Sequence, residues 1–134
     1  MSNNYIENRP WGNYEILKEF AVNEPGFKDV CVKIMTIKPR QRVSYQVHKQ
    51  RNEHWFFVQG EGKVILNDKE IPVRVGNFVD IKIGDKHRVI NTGNQVDLIF
   101  IESQTGHYDE DDIERFEDDY GGSRSTPYRG KFNS

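Results

Sequence analysis

The chain has 134 residues, 35% of them hydrophobic and 30% charged, with a formal net charge of −2. That is one ordinary domain with enough apolar material for a single core. No apolar run approaches the ~18 residues of a membrane span, and Met1–Tyr5 lacks the basic and apolar parts of a signal peptide. The single cysteine, Cys31, excludes a disulfide within the chain. These features lead us to expect a cytoplasmic protein with no membrane partner.

The charge is unevenly spread. Residues 109–119 carry eight acids and one base, Arg115, so the remainder is positive by five. A positive body favours a small anionic substrate. The basic residues are scattered and form no nucleic-acid motif, which sets nucleic acid aside.

In chain order the pattern is strand after strand. Asn13–Phe20 is the first. Asp29–Ile37 alternates Val30, Val32 and Ile34 with Cys31, Lys33 and Met35, the period-two pattern of a strand. Arg42–His48 and the aromatic-rich Glu53–Gln59 follow, and Gly60–Gly62 reads as a turn. Lys63–Leu66 and Ile71–Val75 flank Asn67–Glu70, a hairpin signature. Asn77–Ile81, Arg88–Asn91 and Val96–Glu102 complete the series. Acids at a helix N-terminus are favourable, so Glu110–Phe116 is expected to form a short C-terminal helix. Residues 122–134 read as an irregular tail. Short, regularly spaced strands imply an all-β barrel or sandwich with one domain over 1–134 and a core over about 9–121.

The stretch from Ser44 to Trp55 carries the chemistry. On a strand, Gln46 and His48 share a face, and Glu53 opens the next strand after a turn. His87 follows the Gly84–Asp85 turn far along the chain. Two imidazoles, a carboxylate and an amide oxygen can converge inside a barrel as a mixed N/O site. Such a set suits Zn²⁺, Mn²⁺, Co²⁺, Ni²⁺ or Fe²⁺ without choosing among them. Arg51, in the turn between the two ligand strands, offers a fork of donors to an anion. Arg9 and Arg115 are further candidates for binding a phosphate. Glu53 is a candidate proton carrier, with Lys33, Lys82 and His54 behind it. Val43, Tyr45 and Val47 suggest an apolar outer face through which two copies would pair as a homodimer.

The residues Arg40, Gln46, His48, Glu53 and Gly60, and then Gly76, Lys82, Gly84, His87 and Asn91, are spaced as in the two motifs of the cupin superfamily. Arg40 replaces a glycine, Gln46 a histidine and Lys82 a proline. The chain also resembles the isomerase domain of type II phosphomannose isomerases at three places. These are Arg9-Pro10-Trp11-Gly12 with Tyr14; Ser44, Gln46, His48, Arg51, Glu53, His54 and Trp55; and Glu110 to Gly121. The resemblance implies a cupin jelly-roll barrel, or double-stranded β-helix. It also implies a divalent metal on Gln46, His48, Glu53 and His87, and interconversion of mannose 6-phosphate and fructose 6-phosphate through a cis-enediolate. Glu53 and Arg51 would act in catalysis, and Arg9, Arg51 and Arg115 would bind the phosphorylated sugar. The rival expectations are a sugar-nucleotide epimerase or ketoisomerase and a non-catalytic, metal-containing carbohydrate-binding cupin. In the family this domain often follows a large nucleotidyltransferase domain.

Overall fold

The computed structural model describes residues 4–21, 29–106 and 112–120. They form eleven strands: β1 Ile6–Arg9, β2 Gly12–Phe20, β3 Val30–Ile37, β4 Tyr45–Val47, β5 Arg51–Gln59, β6 Glu61–Leu66, β7 Lys69–Arg74, β8 Phe78–Ile81, β9 His87–Asn91, β10 Leu98–Gly106 and β11 Glu114–Glu117. Two antiparallel sheets face each other. One has six strands in the order β1-β2-β3-β10-β5-β8, the other five in the order β11-β4-β9-β6-β7. This is the all-β architecture that the strand spacing implied and the jelly-roll barrel that the resemblance implied.

Alternation decides which residues face inward. Along β3, Cys31, Lys33, Met35 and Ile37 are buried, while Val30, Val32 and Ile34 are only partly so. Along β10 the buried set is Leu98, Phe100, Glu102 and Gln104. Trp55, Phe57 and Phe100 stack at the centre, with ring centroids 4.7 Å and 4.9 Å from Phe100. The inner surface therefore divides. Its Phe57–Phe100–Ile37 end is a dry core, and its other end buries charged side chains.

The turns follow the sequence closely. Asn67 and Asp68 both take positive φ, 50° and 70°, as the tight hairpin between β6 and β7 requires. Arg40, standing where the cupin motif has glycine, adopts φ 65°, so the glycine-like conformation persists without the glycine. At the proline position, Lys82 donates its backbone N–H to Asp85 (2.8 Å), a bond that proline lacks.

Two expectations are corrected. Among the described residues there is no C-terminal helix. Glu114–Glu117 is a strand, and it pairs with the open edge of β4. Residues 110 and 111 of the expected helix lie outside the described residues. The acids there are matched by specific partners. Asp119 takes the Arg42 fork (2.6 and 2.9 Å), and Glu117 accepts from Arg88 (3.0 Å). Nor is the Val43–Tyr45–Val47 series an outer apolar face. Val43 is in the core cluster, and Tyr45 is covered by Phe116 (centroids 6.2 Å) and hydrogen-bonded to Asp68 (2.8 Å).

Close approach of β6 to β9 depends on Gly62, where a Cβ would lie 2.2 Å from the Ile90 carbonyl oxygen. Gly76 needs its positive φ (92°), but a Cβ there meets nothing within 4 Å. We expect Gly76→Ala to cost about 1–2 kcal/mol of conformational strain. Gly62→Ala should cost about 3 kcal/mol as overpacking against backbone. Denaturant melts of the two variants check the order; equal losses would contradict the close approach.

Candidate metal centre

Four side chains from three strands and a loop meet at the polar end of the barrel. Gln46 and His48 come from β4 and its C-terminal flank, Glu53 from β5, and His87 from the start of β9. Ligand atoms of His48, Glu53 and His87 all lie within 4.8 Å of one another, and all three residues are buried. Gln46 is the register partner of His87, so both face inward from the second sheet. Gln46, His48, Glu53, His87 and Glu102 line one small cavity, with room for about one ion or water, ≈ 10 Å³. Met35, Val43, Trp55, Val89 and Phe100 form its apolar walls.

The histidines are held in one tautomer. His48 Nδ1 lies 2.6 Å from the Asp112 carbonyl oxygen, and His87 Nδ1 lies 2.9 Å from that of Asp85. A carbonyl only accepts, so each Nδ1 carries the proton and each Nε2 keeps its lone pair. Burial keeps both rings neutral. It pushes His48 down to about 3, with the Arg51 charge adding to the effect, and lowers His87 likewise. Burial works against the charged form of Glu53, but the Arg51 guanidinium and the Trp55 N–H bonded to it hold its carboxyl below the usual carboxylate range. The result is two neutral imidazoles and one carboxylate, the protonation states a divalent cation binds. The donor set fits a metal.

Arg51 spans the same atoms. Its Nε donates to Glu53 Oε2 (3.0 Å) and its Nη2 to His48 Nε2 (3.1 Å). An ion bound through those lone pairs competes with the guanidinium for them. The 3.4 Å approach of His48 Nε2 to Glu53 Oε2 is thus a pair of acceptors sharing one donor fork, with no proton between them.

Asp112 anchors this corner twice. Besides its carbonyl on His48, its carboxylate accepts from the backbone N–H groups of Lys49 (2.9 Å) and Gln50 (2.8 Å). The described part of the acidic segment, residues 112–119, is therefore a strap over the β4–β5 turn. Arg115 on that strap is buried, and its register with Gln46 puts it on the inward face.

Other expected residues lie elsewhere. Arg9, at the far edge of the first sheet, contacts Glu7 (3.3 Å) and the Tyr14 hydroxyl (3.4 Å). His54 is on the outer face with Asp80 (2.6 Å), and Lys82 is exposed. Asn91 staples the Val96 turn through Ile37, Val96 and Gly93. Phe56, in the aromatic-rich Glu53–Gln59 run, is 42% exposed.

One residue was missed. Glu102 on β10 is fully buried between its register partners Lys33 and Trp55. Gln104 donates to its Oε2. Lys33 Nζ in turn lies 4.4 Å from the Tyr14 ring centroid. The parity of β10 carried the signal: Glu102 shares a face with Leu98 and Phe100, where a carboxylate needs a reason.

Burial and the Glu53 charge push Glu102 up to about 7, against Lys33, Arg51 and Gln104. The folded protein thus binds this proton more tightly than the unfolded chain. That stability is full below the unfolded value near 4.5 and is lost as pH rises through 7. Glu102→Gln keeps a neutral, hydrogen-bonding side chain at every pH. We expect the metal-free variant to melt higher than metal-free wild type at pH 8, with the difference shrinking towards pH 5. A difference independent of pH would contradict the raised carboxyl.

Comparison with known proteins agrees with this geometry. Residues 2–118 match the family described as "Mannose-6-phosphate isomerase C-terminal". The chain is 41% identical over 114 residues to the alginate biosynthesis protein AlgA of Pseudomonas aeruginosa, covering 84% of this chain and 22% of that protein. It is 37% identical over 114 residues to a mannose-1-phosphate guanylyltransferase of Klebsiella pneumoniae, again covering 84% of this chain and 22% of the relative. The chain thus spans less than a quarter of the length of these relatives. A double-stranded β-helix protein from Klebsiella pneumoniae superposes with TM-score 0.64 at 19% identity, over 87% of this chain and 89% of that one. The chain belongs to the mannose-6-phosphate isomerase C-terminal family and has the cupin fold.

Proposed function

We propose that this chain is a metal-dependent aldose–ketose isomerase that interconverts mannose 6-phosphate and fructose 6-phosphate. The observation that carries the reading is the convergence of His48, Glu53 and His87 on an ion-sized space, inside a domain of that family. His48, Glu53 and His87 would hold one divalent ion, with the Gln46 amide beside them. Zn²⁺, Mn²⁺, Co²⁺, Ni²⁺ and Fe²⁺ all suit such donors. When bound, the ion supplies Lewis-acid stabilisation of the charge that develops on the sugar oxygens in a cis-enediolate.

The protein's own residues supply the rest. The Nδ1–H bonds to Asp112 and Asp85 fix both rings, so their lone pairs need no reorganisation on binding. A hexose phosphate is far larger than the cavity, so only its reacting end reaches the centre. Arg51 is the charged donor nearest that end and is suited to polarise a sugar oxygen or hold the anion. Arg115 adds a second buried cation beside Gln46. Arg9, with Lys33 on the same Tyr14 ring, would meet the phosphate at a greater distance. A reaction on a phosphorylated sugar also fits a cytoplasmic setting. No helix among the described residues is long and apolar enough to cross a membrane.

The test is turnover by metal-stripped protein with mannose 6-phosphate. Each ion is added in turn, and fructose 6-phosphate is followed by a coupled assay. We expect metal-dependent turnover in wild type and a loss of about 100-fold or more in His48→Ala, from loss of a ligand. A folded, metal-loaded protein that binds the sugar phosphate without converting it would overturn the isomerase reading in favour of a binding domain.

A further inference from the structure

The isomerisation needs a group that takes a proton from C2 and returns it to C1. Glu53 is poorly placed to be that group. Its Oε1 accepts from Trp55 Nε1 (2.9 Å) and its Oε2 from Arg51 Nε (3.0 Å), while the centre claims it as a ligand. His54 and Lys82, on the surface, do not reach the cavity. Glu102 does. It lines the same ion-sized cavity as His48, Glu53 and His87 yet is not one of the three grouped ligands.

Its surroundings fit a working carboxylate. Among the described residues its one hydrogen bond is on Oε2, from the Gln104 amide, which fixes the plane of the group and leaves Oε1 for another partner. Lys33 stands opposite it across the β3–β10 ladder and Trp55 across the β10–β5 ladder. Both neighbours are fully buried, so the group is held on rigid strands and shielded from water. A carboxylate placed there for stability alone has little to recommend it. An apolar residue on the face of Leu98 and Phe100 would bury more favourably.

We propose that Glu102 is the proton-transferring residue of the isomerase, and that Gln104 positions it. The inference rests on the isomerase reading above. In the aldose-to-ketose direction Glu102 Oε1 takes the C2 proton. The C2–H electron pair forms the C1=C2 double bond, and the C1 carbonyl pair moves onto O1. The hydroxyl proton passes from O2 to O1. The electrons on O2 then re-form a carbonyl at C2, and C1 takes the proton back from Glu102. No proton, electron or co-reactant is consumed.

The experiment compares wild type, Glu102→Gln and Glu102→Asp as full chains loaded with the ion that supports wild-type turnover. Metal affinity is measured by equilibrium dialysis, and the loss of deuterium from C2 of mannose 6-phosphate labelled there, whether to C1 of the product or to water, by NMR. We expect Glu102→Gln to hold the metal within about threefold of wild type, while loss of the C2 deuterium slows about 100-fold or more. Glu102→Asp, which keeps the carboxyl, should recover part of it. Loss of the C2 deuterium in Glu102→Gln within a fewfold of wild type would overturn the assignment and leave the isomerase reading intact. So would loss of the metal, which would make Glu102 a holder of the centre. Retention of the C2 deuterium in metal-loaded wild type would overturn both readings together.

Discussion

The Nδ1–H of His48 and that of His87 each end on a backbone carbonyl, and the rest of the site depends on those two bonds. They turn both Nε2 lone pairs inward. Burial then makes a charged imidazole too costly, so the lone pairs remain available. Glu53 is the anion beside them, and Arg51 is the cation that balances it. Buried charges persist only when paired in this way. The carbonyls are therefore structural elements of the site. One belongs to the turn before β9, the other to the acidic strap that returns from the C-terminal side of the chain.

The strap explains the uneven charge. The described acids of 112–119 serve as separate partners: Asp112 for the β4–β5 turn and His48, Glu117 for Arg88, Asp119 for Arg42. Arg88 is buried and depends on them. Burial lowers its pKa and the Arg42 charge adds to that, while Asp119 and Glu117 counter both. Two of these acids, in a run that reads as a helix start, are thus counter-charges to Arg42 and Arg88. This coupling links the closing strand of the fold to the geometry of the centre.

Much of this was legible in the residues. Period-two alternation exposed β3, and the Asn67–Glu70 signature placed the hairpin between β6 and β7. Gln46, His48, Glu53 and His87 could be brought together because strand parity and turn position fix which way each faces. The losses have physical causes. β11 was read as helix because acids favour a helix start and nothing local shows that β4 has an unpaired edge. β1 is four residues long, too short for a periodic signal. Glu102 sat in plain alternation on the buried face of β10. The rule that buried charge demands a partner would have marked it, but its neighbours Lys33 and Trp55 lie on other strands, and sequence does not give register.

The most direct measurement is anomalous diffraction from crystals grown with Zn²⁺ or Co²⁺, recorded on both sides of the metal edge. The account predicts one strong peak bounded by His48 Nε2, Glu53 and His87 Nε2, with Arg51 no longer bonded to His48. A structure at full ion occupancy elsewhere, with no peak at these three residues and the Arg51 fork still in place, would contradict it.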